Sequence, residues 1–174
     1  MLKDFVDEYA RYRGIGEKAI RQLSDEELNI VVSSEGNSIG IIVRHVSGNF
    51  ISRFTDFLTT DGEKPWRDRD SEFRDAKYSR EEIEKMWADG WRVLESQLSI
   101  LSDEDLRKTI SIRGQPWMVH DALCRSLAHL SYHVGQIVLL ARIIKQSNWQ
   151  WISIPKNKSR EYNANPTMEK TPER

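Results

Sequence analysis

The stretch VHDALCRSLAHLSYHVGQIVLLARIIKQ, residues 119–146, decides the fold. Turned at about 100° per residue, Ala122, Leu123, Leu130, Val134, Ile137, Leu140, Ala141 and Ile144 share one stripe, the mark of an amphipathic helix. Two polar residues break the pattern: His133 lies inside the stripe and His129 on its margin. A helix this long and apolar needs companions to cover its stripe.

The same period recurs upstream. Leu2, Phe5, Val6, Tyr9, Tyr12, Gly16, Ala19, Ile20 and Leu23 predict a first helix over residues 2–23. A second is predicted from Ser38 to Thr59. Ser79-Arg80-Glu81-Glu82 has the form of a capping box and opens a third, whose buried face is Ile83, Trp87, Gly90, Trp91, Leu94, Leu98 and Leu101. Residues 62–74 are polar, contain Pro65 and lack periodicity, which predicts an ordered surface loop. Residues 108–112 alternate weakly and predict a short strand before a Gly114-Gln115-Pro116 turn. The expectation is an all-α, up-down four-helix bundle with ordered loops over residues 1–160, followed by a loose tail over 161–174. Leu23-Ser-Asp-Glu-Glu-Leu28 and Leu101-Ser-Asp-Glu-Asp-Leu106 echo one another. Shared capping chemistry and a duplicated helix pair both account for that echo.

Composition narrows the function. The 174 residues contain 26 Lys+Arg against 27 Asp+Glu, a net charge of −1, so the basic excess of a nucleic-acid binder is missing. No uninterrupted apolar run approaches the roughly 18–20 residues that span a bilayer. The first residues, Met1-Leu-Lys-Asp-Phe5, carry charges of both signs and do not read as a signal peptide. A single cysteine, Cys124, excludes an internal disulfide framework and cysteine-rich metal sites. A cytoplasmic, soluble protein with no nucleic-acid or membrane partner is expected.

The four histidines are the scarce residues. His129 and His133, four apart, lie on one helix face and point toward the core. Buried imidazoles need partners. A divalent ion satisfies both nitrogens, while hydrogen bonds within a core are the plainer alternative at this spacing. The helix lacks the glutamate that a metalloprotease motif would place after His129. On the second helix, His45 flanks the apolar stripe in line with Ser38, Asn49, Ser52 and Asp56, a polar strip that suits the wall of a hydrated cavity. If the second and fourth helices face each other, His45 supplies a third nitrogen and leaves a position open, as catalytic metal sites do. His120 lies off the stripe and is read as a bystander.

With these residues in place, the chain resembles the DinB/YfiT-like superfamily of metalloenzymes. The resemblance is carried by His45 and by His129-Leu-Ser-Tyr-His133-Val-Gly-Gln136. It is sharpened by the stretch from His45 to Asp70 and by Ile112-Arg-Gly-Gln-Pro-Trp117, which look like a branch of unknown function common in Bacilli. The resemblance covers about residues 1–160. It implies a bundle that is often homodimeric, with a divalent metal, zinc or nickel foremost, held by His45, His129 and His133. It also implies chemistry like that of low-molecular-weight-thiol S-transferases, with a small thiol and an electrophile as substrates. One departure is Val134, where many relatives carry arginine.

Asn49, Arg53, Tyr132 and Gln136 are the further site candidates, as ligand-orienting or substrate-binding groups. Arg67 and Arg69 either hold an acidic substrate or pair with Asp61, Asp68 and Asp70. Cys124 is placed opposite the histidine face, so a reacting thiol is expected to arrive with the substrate. A metal-binding or scaffolding dimer without turnover is the alternative function.

Overall fold

The computed structural model describes residues 1–167. Its elements are α1 (Leu2–Ile20), α2 (Ile39–Phe54), α3 (Arg80–Ile100), a hairpin of β1 (Thr109–Ile112) and β2 (Gln115–Met118), α4 (Val119–Lys145) and the short α5 (Ser159–Ala164). Among the described residues the protein is all-α apart from that hairpin. α2 lies chiefly against α3 and α1 against α4, while α2 also meets α4 and so closes the bundle.

The local chemistry explains the helix ends. Ser38 caps α2 by accepting from the Ile41 N–H. The capping box at Ser79 and Glu82 forms in both directions and starts α3. The echoed segments become two capped turns: Ser24 and Glu27 bond reciprocally (2.7 and 3.2 Å), as do Ser102 and Asp105 (2.8 and 3.4 Å). Each turn presents a leucine to the core, Leu28 and Leu106, both essentially fully buried.

Tyr9 joins all four long helices. Its ring packs edge-on against Phe50 of α2 and Trp91 of α3, and its hydroxyl donates to the Leu123 carbonyl of α4 at 3.2 Å. Burial pushes this phenol well above its ordinary pKa, so it stays protonated. α2 and α3 approach closely because residue 90 is glycine: a Cβ there would stand 2.8 Å from Ser47 Cα.

The structure adds a strand to the expected one. Residues 115–118 pair antiparallel with residues 109–112, with Ile112 opposite Gln115. The two-residue connection, Arg113 and Gly114, has positive φ at both positions (55° and 70°). Pro116 therefore lies in a strand rather than in the turn. It faces Ser111, a non-hydrogen-bonded pair in a hairpin of this length, so its missing N–H points away from the partner. The Ser111 carbonyl points outward too and accepts from Gly62 N at 2.8 Å. Asp61 anchors this corner, accepting from Glu63, Arg113 and Gly114 N–H groups (2.7–2.8 Å) and from the Ser111 hydroxyl.

α4, taken with the turn that follows it, is long and apolar enough to cross a membrane by length and composition alone, although no uninterrupted apolar run marks it. Here its stripe, including Leu123, Leu130, Val134 and Ile137, is buried in the bundle. The boundary expected at residue 160 falls inside α5, and residues 168–174 of the expected tail lie outside the described residues.

Candidate metal centre

α2 and α4 face each other at the histidines. His45 is 3% exposed and His133 is 8% exposed, with His129 half-buried between them and the neighbouring cavity. The three Nε2 atoms converge: His129 Nε2 lies 3.2 Å from that of His45 and 3.1 Å from that of His133.

The opposite ring nitrogens fix two of the tautomers. His45 Nδ1 donates to the Glu72 carboxylate at 2.8 Å, and His133 Nδ1 donates to Gln136 Oε1 at 2.8 Å. Both rings therefore turn an unprotonated Nε2 toward the common centre. His129 Nδ1 is buried with no hydrogen-bond partner among the described residues. A single proton among three such nitrogens satisfies at most one or two of them. A divalent ion bound at about 2.0–2.1 Å satisfies all three, and places its ligand nitrogens about 2.9–3.4 Å apart for angles from right to tetrahedral. The observed spacings fall in that interval, so the donor set fits an ion. These three close histidines could bind a metal ion, and three protein nitrogens leave at least one position open.

The site is also kept electrically ready. Burial pushes His129 down to about 3, with His133, His45, Arg67 and Arg53 adding to the effect. Burial likewise pushes His133 down to about 4, although its bond to Gln136 opposes the shift. Both are neutral at pH 7, as a ligand must be. In the unfolded chain each would take a proton near pH 6.5. The unfolded state thus binds more protons than the folded one below that pH, which weakens folding. The metal-free protein is accordingly expected to keep its full stability above pH 6.5 and to lose it progressively as the pH falls toward 4. Thermal melts in chelator from pH 8 to pH 4.5 check this; a flat profile below pH 6.5 would contradict the neutral, buried imidazoles.

Glu72 is the functional residue that sequence reasoning missed. It is buried on the short 3-10 turn Asp70–Phe73, and Arg67, whose side chain is 3% exposed, grips both of its oxygens at 2.8 and 2.9 Å. Burial alone would raise this carboxyl. The bonds from His45 and Arg67, with the Arg67 charge, outweigh that and hold it below its usual range. The pairing of Arg67 with Asp61, Asp68 or Asp70 is thus corrected: its partner is Glu72. Asp61 serves the hairpin and Asp68 lies 3.9 Å from Arg74. Glu72 can approach α2 only because residue 48 is glycine, since a Cβ there would stand 2.4 Å from Glu72 Oε1. Phe73 covers the other side of the His45 ring at a centroid distance of 4.6 Å.

The remaining candidates separate. Asn49 and Arg53 line the cavity beside His45 and His129. Gln136 holds His133. Tyr132 is 63% exposed, its hydroxyl accepting from Gln136 Nε2 at 3.3 Å, and it does not line that cavity. Cys124 is exposed, 3.9 Å from His120 Nε2. His120 itself meets Asp121 at 3.1 Å, away from the other three histidines.

The chain is thus a helical bundle whose second and fourth helices bring three histidines to one point. The fold is similar to the crystal structure of a DinB-like protein from Bacillus cereus, with a TM-score of 0.56 and 16% identity, covering 81% of this chain and 91% of that one. Residues 1–158 match the family described as "protein of unknown function (DUF1572)", and the chain belongs to that family. No curated protein matches it.

Proposed function

We propose that this DinB-like protein is a metal-dependent enzyme acting on a low-molecular-weight thiol and an electrophile, as an S-transferase does. The observation that carries the reading is the convergence of three imidazole Nε2 atoms, with contacts of 3.1–3.2 Å and with His45 and His129 on the wall of a cavity rather than inside a sealed core. His45, His129 and His133 are the ligands, and zinc or nickel is the ion we propose among the several divalent ions that imidazole accepts. A divalent ion there would supply the positive charge that lets a bound thiol or water lose its proton near neutral pH.

The protein's own groups have distinct tasks. Glu72 holds the proton on His45 Nδ1 and so keeps Nε2 free, while Arg67 keeps Glu72 ionised and still. Gln136 does the same for His133. Asn49, one turn after His45, offers an amide to whatever enters the cavity. Cys124, exposed and outside the cavity lining, is not placed to be the nucleophile, which leaves the thiol to come from the substrate. We further propose a homodimer in the cytoplasm, with a small molecule rather than nucleic acid or membrane as partner.

A survey of small thiols against an electrophilic reporter, with the metal-loaded protein, tests the reading. The expected result is a saturable rate with at least one thiol that is lost in chelator and in the His129→Ala variant. Full metal occupancy with no rate for any thiol would leave a metal-binding bundle without this activity.

A further inference from the structure

Beside the histidines lies a cavity of about 200 Å³ whose wall carries five arginines, Arg53, Arg67, Arg69, Arg113 and Arg125, and no carboxylate. They come from separate parts of the chain: the end of α2, the following connection, the hairpin turn and α4. Two of them are neutralised from behind. Arg67 is held by Glu72, and Arg113 meets Glu63 at 3.1 Å. Among the described residues, Arg53, Arg69 and Arg125 meet no carboxylate within 4.0 Å.

Elsewhere among the described residues Arg11, Arg13 and Arg80 pair with Glu8, Glu17 and Asp25, while Arg44, Arg107, Arg142 and Arg160 also meet no carboxylate within 4.0 Å. What sets this place apart is that three such arginines line one cavity. Three unpaired guanidinium groups brought together repel one another, and the fold supports that arrangement instead of relieving it. Arg69 is stacked over Phe73 and Arg125 over Trp117, each at 5.1 Å from the ring centroid. Arg53 is seated against Gly62, where a Cβ would stand 2.7 Å from its Nη1. That Nη1 is buried with no hydrogen-bond partner among the described residues. Burial pushes the Arg53 guanidinium down from its ordinary pKa, Glu63 opposes, and Arg67, Arg113 and Arg125 add to the push. An anion in the cavity would offset the repulsion among these guanidinium groups.

We propose that this cavity binds a small substrate carrying at least two negative charges, as phosphate or carboxylate groups, anchored by Arg53, Arg69 and Arg125. Guanidinium groups grip both kinds of oxyanion in the same forked geometry, so the chemistry is shared. The proposal deepens the enzymatic reading and rests on it only for the consequence that the anchored molecule's reactive end lies against His129. Asn49 and Ser126, which also line the cavity, suit a substrate with further polar groups.

The test is calorimetric titration of the zinc-loaded and the chelated protein with inorganic phosphate and, separately, with succinate, at low ionic strength. Saturable binding of at least one probe is expected, weakened about tenfold to a hundredfold by Arg53→Gln and again by Arg125→Gln. Arg125 is surface-exposed, so its variant stays informative if Arg53→Gln folds poorly. The two probes tell phosphate from carboxylate. Absence of binding by both, or unchanged affinity in the Arg125→Gln variant and in any folded Arg53→Gln variant, would overturn the anion site. Zinc content is read on the same samples. Full zinc with no anion binding sinks this proposal alone, whereas anion binding without any zinc uptake sinks the metal reading and leaves the anion site standing.

Discussion

Replacing His129 with alanine should abolish stoichiometric binding of a divalent ion. Of the three histidines, His129 is the one whose Nε2 is close to both others, at 3.2 and 3.1 Å. Its loss leaves two nitrogens, too few to hold a divalent ion without recruiting water. Apparent binding energies of zinc sites with four protein ligands run to about 10–16 kcal/mol, so one ligand's share is about 2.5–4 kcal/mol, or on the order of a hundredfold to a thousandfold in affinity. Metal analysis after dialysis reads this directly, with about one equivalent for the wild type and near none for the variant. His120→Ala should retain the full equivalent, because that ring faces Asp121 and Phe5 instead. Melting temperatures in chelator should fall only modestly in His129→Ala, since the ring is half-buried, its Nδ1 has no partner among the described residues, and only the Nε2 contacts with His45 and His133 are lost. Unchanged metal content in single alanine variants at all three positions would refute the centre.

The second large effect is expected at a residue with no side chain. Alanine usually improves a helix interior over glycine by about 1 kcal/mol. At Gly48 the sign should invert. The new methyl group would meet Glu72 Oε1 at 2.4 Å and its carboxyl carbon at 3.0 Å. Glu72 cannot swing aside cheaply, because Arg67 holds both oxygens and His45 holds one. Overpacking of this kind costs about 1–3 kcal/mol, and disturbing a group that orients a ligand costs about 10–100-fold in metal affinity. Gly48→Ala should therefore melt lower and bind zinc more weakly. Gly135→Ala on α4, where nothing lies within 4 Å of the added carbon, should melt slightly higher and bind normally. Equal behaviour of the two variants in paired melts and zinc titrations would remove Glu72 from the site.

Those two residues also mark what the sequence makes legible. Helical period and capping chemistry act over three or four residues, so α1 to α4 emerge within a few positions of their ends, as the Ser79–Glu82 box and the stripe of α4 show. The histidine trio follows from the same geometry once α2 and α4 are set face to face. Glu72 does not follow, because it reaches His45 across 27 residues from a connection without periodicity. Its five-residue separation from Arg67 matches no helix or strand rule. Gly48 gives no local sign either, since its neighbour is distant in sequence. β2 escaped because Pro116 reads as a turn residue, and only its pairing with Ser111 shows that its absent donor is not needed there.

The three converging imidazoles sit on two long helices packed into the core, whereas Arg67, Arg69 and Arg113 of the charged wall beside them come from a connection and a hairpin turn. Core positions tolerate little exchange, but connections accept substitutions and even insertions readily. The fold thus separates the part of the chemistry that must stay fixed from the part that can drift. Descendants of this chain can exchange one set of loop charges for another, and so take up a different compound, while the three imidazoles remain where they are.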